Sequence, residues 1–202
     1  MELRLLEIGI SIFVAAMLMI LHELPKTFVY FCTTAIEGKK QPWRKIFYLK
    51  NYLDPIGLLL FSVSYAGFSK PYMFRIQSRK KNILLGITGF FTLFVIFSLS
   101  VWQLRCGYGL RELQLKDGGL GLIIGQLFWI YMAFFSGSLF LVNLFPVSVF
   151  DMGLLIAGGS ARHYLGIIQN DLLIKIILMF AIAIGVIKHF SFEMVKGILA
   201  FQ

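Results

Sequence analysis

Two stretches of this chain, residues 83–102 and 120–142, contain no charged side chain. Each has the length, about 20 mostly apolar residues, that an α-helix needs to cross a bilayer. Two such runs within 202 residues cannot both be hidden in one soluble globule, because surface per unit mass falls only slowly with size and a chain this short keeps much of its surface exposed. The chain is 58% hydrophobic and 14% charged, with 21 Phe, against roughly 45–50% apolar and about 25% charged in soluble domains. Disordered chains are poor in those aromatics and aliphatics. The sequence therefore reads as an all-α polytopic integral membrane protein, one membrane-embedded domain over residues 1–202.

Three further apolar runs bring the expected count to five or six membrane segments. Residues 5–36 can span, but His22, Glu23, Pro25 and Lys26 interrupt them near the middle. The last span is expected at 172–187. The run 55–68 is short, contains Gly57 and Gly67, and lies between two basic stretches. Those stretches, 37–51 and 69–82, hold the whole formal excess of +9. Short basic loops beside apolar spans mark the cytoplasmic side. A full crossing by 55–68 would put the two loops on opposite sides, so a re-entrant segment that dips and returns is expected there. Anionic lipid headgroups are the expected neighbours of both loops. Nucleic acid is not an expected partner, since neither loop lies in a soluble domain with a base-stacking groove. Cys32 and Cys106 form neither a disulfide framework nor a C-x-x-C pair. No cleavable signal peptide is expected, because the first apolar run continues through a His-Glu pair instead of ending in small residues.

Ionisable groups at the centre of a membrane helix cost at least ~2.5–3.5 kcal/mol each on insertion scales, and by default they mark function. His22, Glu23 and Lys26 cluster in the first span, and Asp151 lies just beyond the break at Asn143 and Pro146. His22-Glu23 begins like the metalloprotease motif H-E-x-x-H, which sets two imidazoles at i and i+4 to bind zinc while its Glu polarises water. Here the fourth residue after His22 is Lys26. His163 and His189 lack the i+4 geometry and are read as interfacial, their polar tips at headgroup level.

Four segments, taken together, resemble the site-2 protease family, the intramembrane zinc metalloproteases. They are His22-Glu23-x-x-Lys26, Asp54-Pro55-x-Gly57, Gly67-x-x-Lys70-Pro71, and Asn143-x-x-Pro146-x-x-x-x-Asp151 followed by Gly153. They occur in the family's order, and the resemblance covers about residues 8 to 160. The resemblance implies a site-2-protease-like core in which His22 and Asp151 stand at zinc-ligand positions. It also implies that Glu23 is the general base of any active form, and that Asn143, Pro146, Asp54, Gly57, Lys70 and Pro71 are motif positions that shape the site. Lys26 replaces the second zinc-binding His. Around 88–93, where many relatives carry A-G-P-x-x-N, only Gly89 is recognisable. The chain looks like a degenerate member.

Two ligand positions fall short of the three that a catalytic zinc normally has. The reading is a non-catalytic pseudoprotease without cofactor that binds a transmembrane or membrane-proximal protein segment. In it, Lys26 substitutes electrostatically for the metal, flanked by Glu23 and Asp151. One alternative is an active zinc endopeptidase with a substitute third ligand. The other is a small ion or proton transporter component built on the same buried charges. Oligomeric state is left open by the sequence.

Overall fold

The computed structural model describes residues 2–36, 46–71, 78–108 and 120–200. The helices among them are α1 (Glu2–Ile36), α2 (Pro55–Ser64), α3 (Arg79–Gln103), α4 (Leu120–Asn143), α5 (Asp151–Gly159), α6 (Ala161–Ala183) and α7 (Val186–Ala200). No strand occurs among the described residues. Four stretches are long and apolar enough to cross a membrane: Arg4–Thr34, Arg79–Cys106, Gly121–Asn143 and Ala161–Ala183. Large apolar side chains such as Ile87, Phe91 and Phe94 on α3 point outward, exposed. Together with the four spanning stretches, such a surface suits contact with lipid. The protein is an all-α membrane protein. Parts of both basic stretches (37–45 and 72–77) and of the connection after α3 (109–119) lie outside the described residues.

α1 is one continuous helix with Pro25 inside it. Proline removes one hydrogen bond, but the remaining ladder and the packing on both sides carry the helix through. α3 is the hub, packing against α1, α4 and α5. Val14, Leu18 and Met19 of α1 meet Phe61 of α2, Leu93 of α3, and Phe135 and Leu139 of α4 in the main apolar core. The rings of Phe61 and Phe135 lie 4.9 Å apart.

The segment around α2 doubles back. Asp54 caps its start, its Oδ1 accepting from the N–H groups of Ile56 and Gly57 at 2.9 and 3.0 Å. Tyr65 ends it in the left-handed region, with φ 56°. Residues 66–70 then return alongside in non-helical conformation. The Lys70 N–H donates to the Tyr52 carbonyl at 3.2 Å, closing the base of the hairpin. Close approach requires glycine at two points. A Cβ on Gly57 would overlap the Phe68 carbonyl, and one on Gly67 would overlap the Gly57 carbonyl. The D-P-x-G and G-x-x-K-P segments therefore lie side by side, and the chain leaves the hairpin at the end where it came in.

The last third departs from the sequence expectation. The helix expected at 172–187 begins at Ala161, where the Ser160 side chain caps it by accepting from the His163 N–H. Gly185, at φ 83°, turns the chain into a further helix, α7. The polar residues Arg162, His163, Gln169, Asn170 and Asp171 depress the hydropathy of the first half of α6, which hides it from an apolar-run reading. α7 lies along α4, its Ser191 hydroxyl donating to the Phe134 carbonyl at 2.8 Å.

The hairpin makes a topological prediction. In a chain with Cys32 and Cys106 replaced by Ser, Lys50→Cys and Arg79→Cys thiols should react with a membrane-impermeant maleimide from the same side. Labelling from opposite sides would show that the segment crosses.

Candidate functional site

His22, Glu23 and Lys26 occupy adjacent positions near the middle of α1, where i,i+3 and i,i+4 spacing places side chains on one face. Asp151 arrives on that face from elsewhere. Pro146 has no N–H to continue α4, which ends at Asn143. The chain then loops and restarts as α5 with Asp151 in its first turn. Asn143 guides the restart: its Nδ2 donates to Leu139 O at 2.9 Å, and its Oδ1 accepts the Asp151 N–H at 3.4 Å. The spacing of Asn143, Pro146 and Asp151 is thus that of a helix end, a breaker and the next helix start.

The four ionisable side chains and Ser69 form one buried cluster. His22 Nε2 donates to Asp151 Oδ2 at 2.8 Å. Lys26 Nζ donates to Asp151 Oδ1 at 2.8 Å and to Glu23 Oε1 at 2.9 Å. His22 Nδ1 lies 3.1 Å from both Glu23 Oε1 and Ser69 Oγ. The Ser69 hydroxyl donates to Glu23 Oε1 at 2.7 Å. Exposure is 0% for His22 and Asp151 and 1% for Glu23 and Lys26. Ser69 spends its proton on Glu23, so both imidazole nitrogens face atoms that accept. The arrangement is complete when both nitrogens carry hydrogen, giving two cations and two carboxylates with no net charge. Neutrality matters at this depth, since a buried unpaired ion costs several kcal/mol, on the order of what a whole cluster can recover.

Two residues that the sequence reading did not assign to the site shape it. Ser69 sits on the returning strand of the hairpin and links α1 to it. Gly89 of α3 lies against the Asp151 carboxylate, which a Cβ there would overlap. Its signal was present as the one recognisable residue of 88–93, whereas nothing in the sequence distinguishes Ser69 from a serine with no role. Asp54, Gly57, Lys70 and Pro71 do not join the cluster. Asp54 caps α2, Gly57 permits the hairpin's close approach, Lys70 is exposed and Pro71 half-buried. His163 and His189 lie exposed on α6 and α7 and do not enter it.

The donor set does not suit zinc. Two ligands of a tetrahedral zinc, each about 2.0–2.1 Å from the metal, stand roughly 3.3 Å apart. His22 Nε2 and Asp151 Oδ2, at 2.8 Å, are instead bonded directly to each other. The ammonium of Lys26 lies between both carboxylates, and a protonated lysine is no ligand. No group of three or more His, Cys, Asp or Glu side chains is arranged to hold a metal among the described residues.

A cavity of about 220 Å³ reaches the cluster's edge. Phe68, Ser69 and Pro71 of the hairpin line it, with Val149 and Phe150 ahead of α5, and Lys175 and Leu178 of α6. Comparison with protein-family models, with curated proteins and with solved structures finds no match.

The cluster predicts a stability order. Lys26→Met keeps the apolar stem but leaves two carboxylates with the single cation of His22, and should destabilise the protein by about 3–5 kcal/mol. Adding Asp151→Asn should recover part of that loss, because it removes the one excess negative charge. Gly89→Ala should be destabilising by about 1–3 kcal/mol through overpacking. Reversible unfolding in mixed micelles measures all three.

Proposed function

We propose that this protein is a site-2-protease-like intramembrane protein that has exchanged its metal for a lysine, and that it binds a membrane segment of a partner protein instead of cutting it. The observation that carries the reading is the Lys26 ammonium between the Glu23 and Asp151 carboxylates. In a zinc peptidase the metal polarises the scissile carbonyl and the Glu takes a proton from water. Here Oε1 of Glu23 already accepts from Lys26 and Ser69, so it is engaged in holding the cluster. The His22–Asp151 contact across α1 and α5, and the hairpin beside them, support kinship with that family's arrangement.

Binding is supported by two features. The cavity reaches Ser69 from the direction of α6 and is bounded by the non-helical segment 66–70. Glu23 Oε2 is buried with no hydrogen-bond partner among the described residues, so the cluster retains capacity to accept from an N–H. A segment unwound inside a bilayer must find partners for its backbone groups; Ser69 and the unpartnered Glu23 oxygen lie beside a cavity whose mostly apolar lining, Phe68, Phe150 and Leu178 among it, suits such a segment's side chains. The basic stretches 37–51 and 69–82 support a cytoplasmic position for their side of the protein by the positive-inside rule.

Metal analysis and proteolysis test the reading separately. Purified wild-type protein should carry only traces of zinc. Lys26→His should raise its zinc content toward one ion per chain, because it restores three ligand positions. Glu23→Gln should leave the fragments of co-expressed membrane proteins unchanged. Stoichiometric zinc in the wild type that His22→Ala removes, or fragments that vanish with Glu23→Gln, would assign hydrolysis to this chain.

A further inference from the structure

α6 is a span with almost no interior. Leu178 and Ile182 are its only buried residues. On the opposite side, at helical i,i+3 and i,i+4 spacing, stand Gly166, Gln169, Asn170, Leu173, Ile177 and Phe180. Leu173, Ile177 and Phe180 are 58%, 52% and 66% exposed, as a lipid-facing surface is. The two carboxamides are also exposed.

Their depth makes them anomalous. α6 starts at the end of the bundle where α3 starts, because Gly158, just before it, packs on Arg79 and Ile83. One residue beyond Asn170, the Asp171 Oδ1 accepts the Ser148 N–H at 2.9 Å, in the loop that delivers Asp151. Asp151 in turn lies against Gly89, about 15 Å along α3 from Arg79 at 1.5 Å per residue. Gln169 and Asn170 are therefore well inside the span and face away from the protein. Asn170 Nδ2 donates to Gly166 O at 2.9 Å, which leaves its Oδ1 able to accept. Lipid tails offer carboxamides nothing, and across membrane helices such groups pair with one another.

We propose that this face of α6 is the interface with a second copy of the chain, the two α6 helices crossing at Gly166 with Gln169 and Asn170 hydrogen-bonded across a twofold axis. A carboxamide both donates and accepts, so the face is complementary to itself, as a twofold contact requires. Copies inserted by the same route bring the carboxamides to the same depth and in parallel orientation. A foreign helix meets that condition only if it carries a carboxamide at that level. Gly166, with nothing within 4 Å of an added Cβ, lets the backbones approach closely.

Site-directed cross-linking of the full chain in native membranes tests this, with Cys32 and Cys106 replaced by Ser. Leu173→Cys should yield a disulfide-linked homodimer on mild oxidation, whereas Phe94→Cys, lipid-facing on α3, should not. In lipid nanodiscs or micelles, Gln169→Leu/Asn170→Leu should weaken self-association at least about tenfold, as several interhelical hydrogen bonds of modest strength together imply. That double variant should unfold at the wild-type midpoint in the monomer range. A monomer at every concentration, dimers linked through Phe94→Cys instead, or cross-links from Leu173→Cys only to a different protein would each overturn the proposal.

Discussion

An ammonium held between two carboxylates, deep in a helix bundle, is the interaction on which this architecture rests. Lys26 belongs to α1, Asp151 begins α5, and Ser69, which bonds the same Glu23 oxygen, lies on the hairpin. Three parts of the chain far apart in sequence are thus joined at one point. Lipid provides no hydrophobic drive to hold helices together, so packing and polar contacts must do it. A charged cluster is an uncompromising way to achieve that. Its members are tolerable only together, and a helix displaced from the group would strand a charge in hydrocarbon.

Close backbone approach makes the cluster possible. Gly89 clears the space that the Asp151 carboxylate occupies, and Gly86 lets α3 approach the Asp151 carbonyl. Gly57 and Gly67 let α2 and the returning segment touch, which brings Ser69 to the imidazole. Small residues at helix contacts are a general device of membrane proteins. Here they also determine where the charges meet. The loop before α5 is held from the other side by Asp171 and by Tyr164, whose hydroxyl reaches the Ser148 carbonyl at 3.4 Å. α6 therefore serves the site although it contributes little to the core.

How much could be read in advance differs from element to element. α3 and α4 were legible because an uncharged run of spanning length has few other fates. That 55–68 turns back on itself is what the charge of the two flanking basic stretches leads one to expect, and residues 66–70 do return alongside α2. The second half of α6 was legible in the same way as α3 and α4, but its first half was not, because it carries Arg162, Gln169, Asn170 and Asp171, and an apolar window starts only after them. α7 was overlooked because its polar and apolar residues alternate on two faces, and burial against α4 supplies what its composition lacks. In the site, His22, Glu23, Lys26 and Asp151 were conspicuous as charges inside apolar sequence. Ser69 was invisible, since a serine declares a role only through its neighbours.

The chain's composition and the order of its apolar runs were enough to determine a helical membrane protein carrying ionisable residues where they are costly. The reason is that transfer into lipid acts on each residue separately and can be summed along a sequence. Which charge meets which was decided by tertiary structure alone. A hydrogen bond between His22 and Asp151, 129 positions apart, depends on where α4 stops, how the hairpin returns and which glycines let backbones touch. Those are properties of the packed bundle and of no single segment.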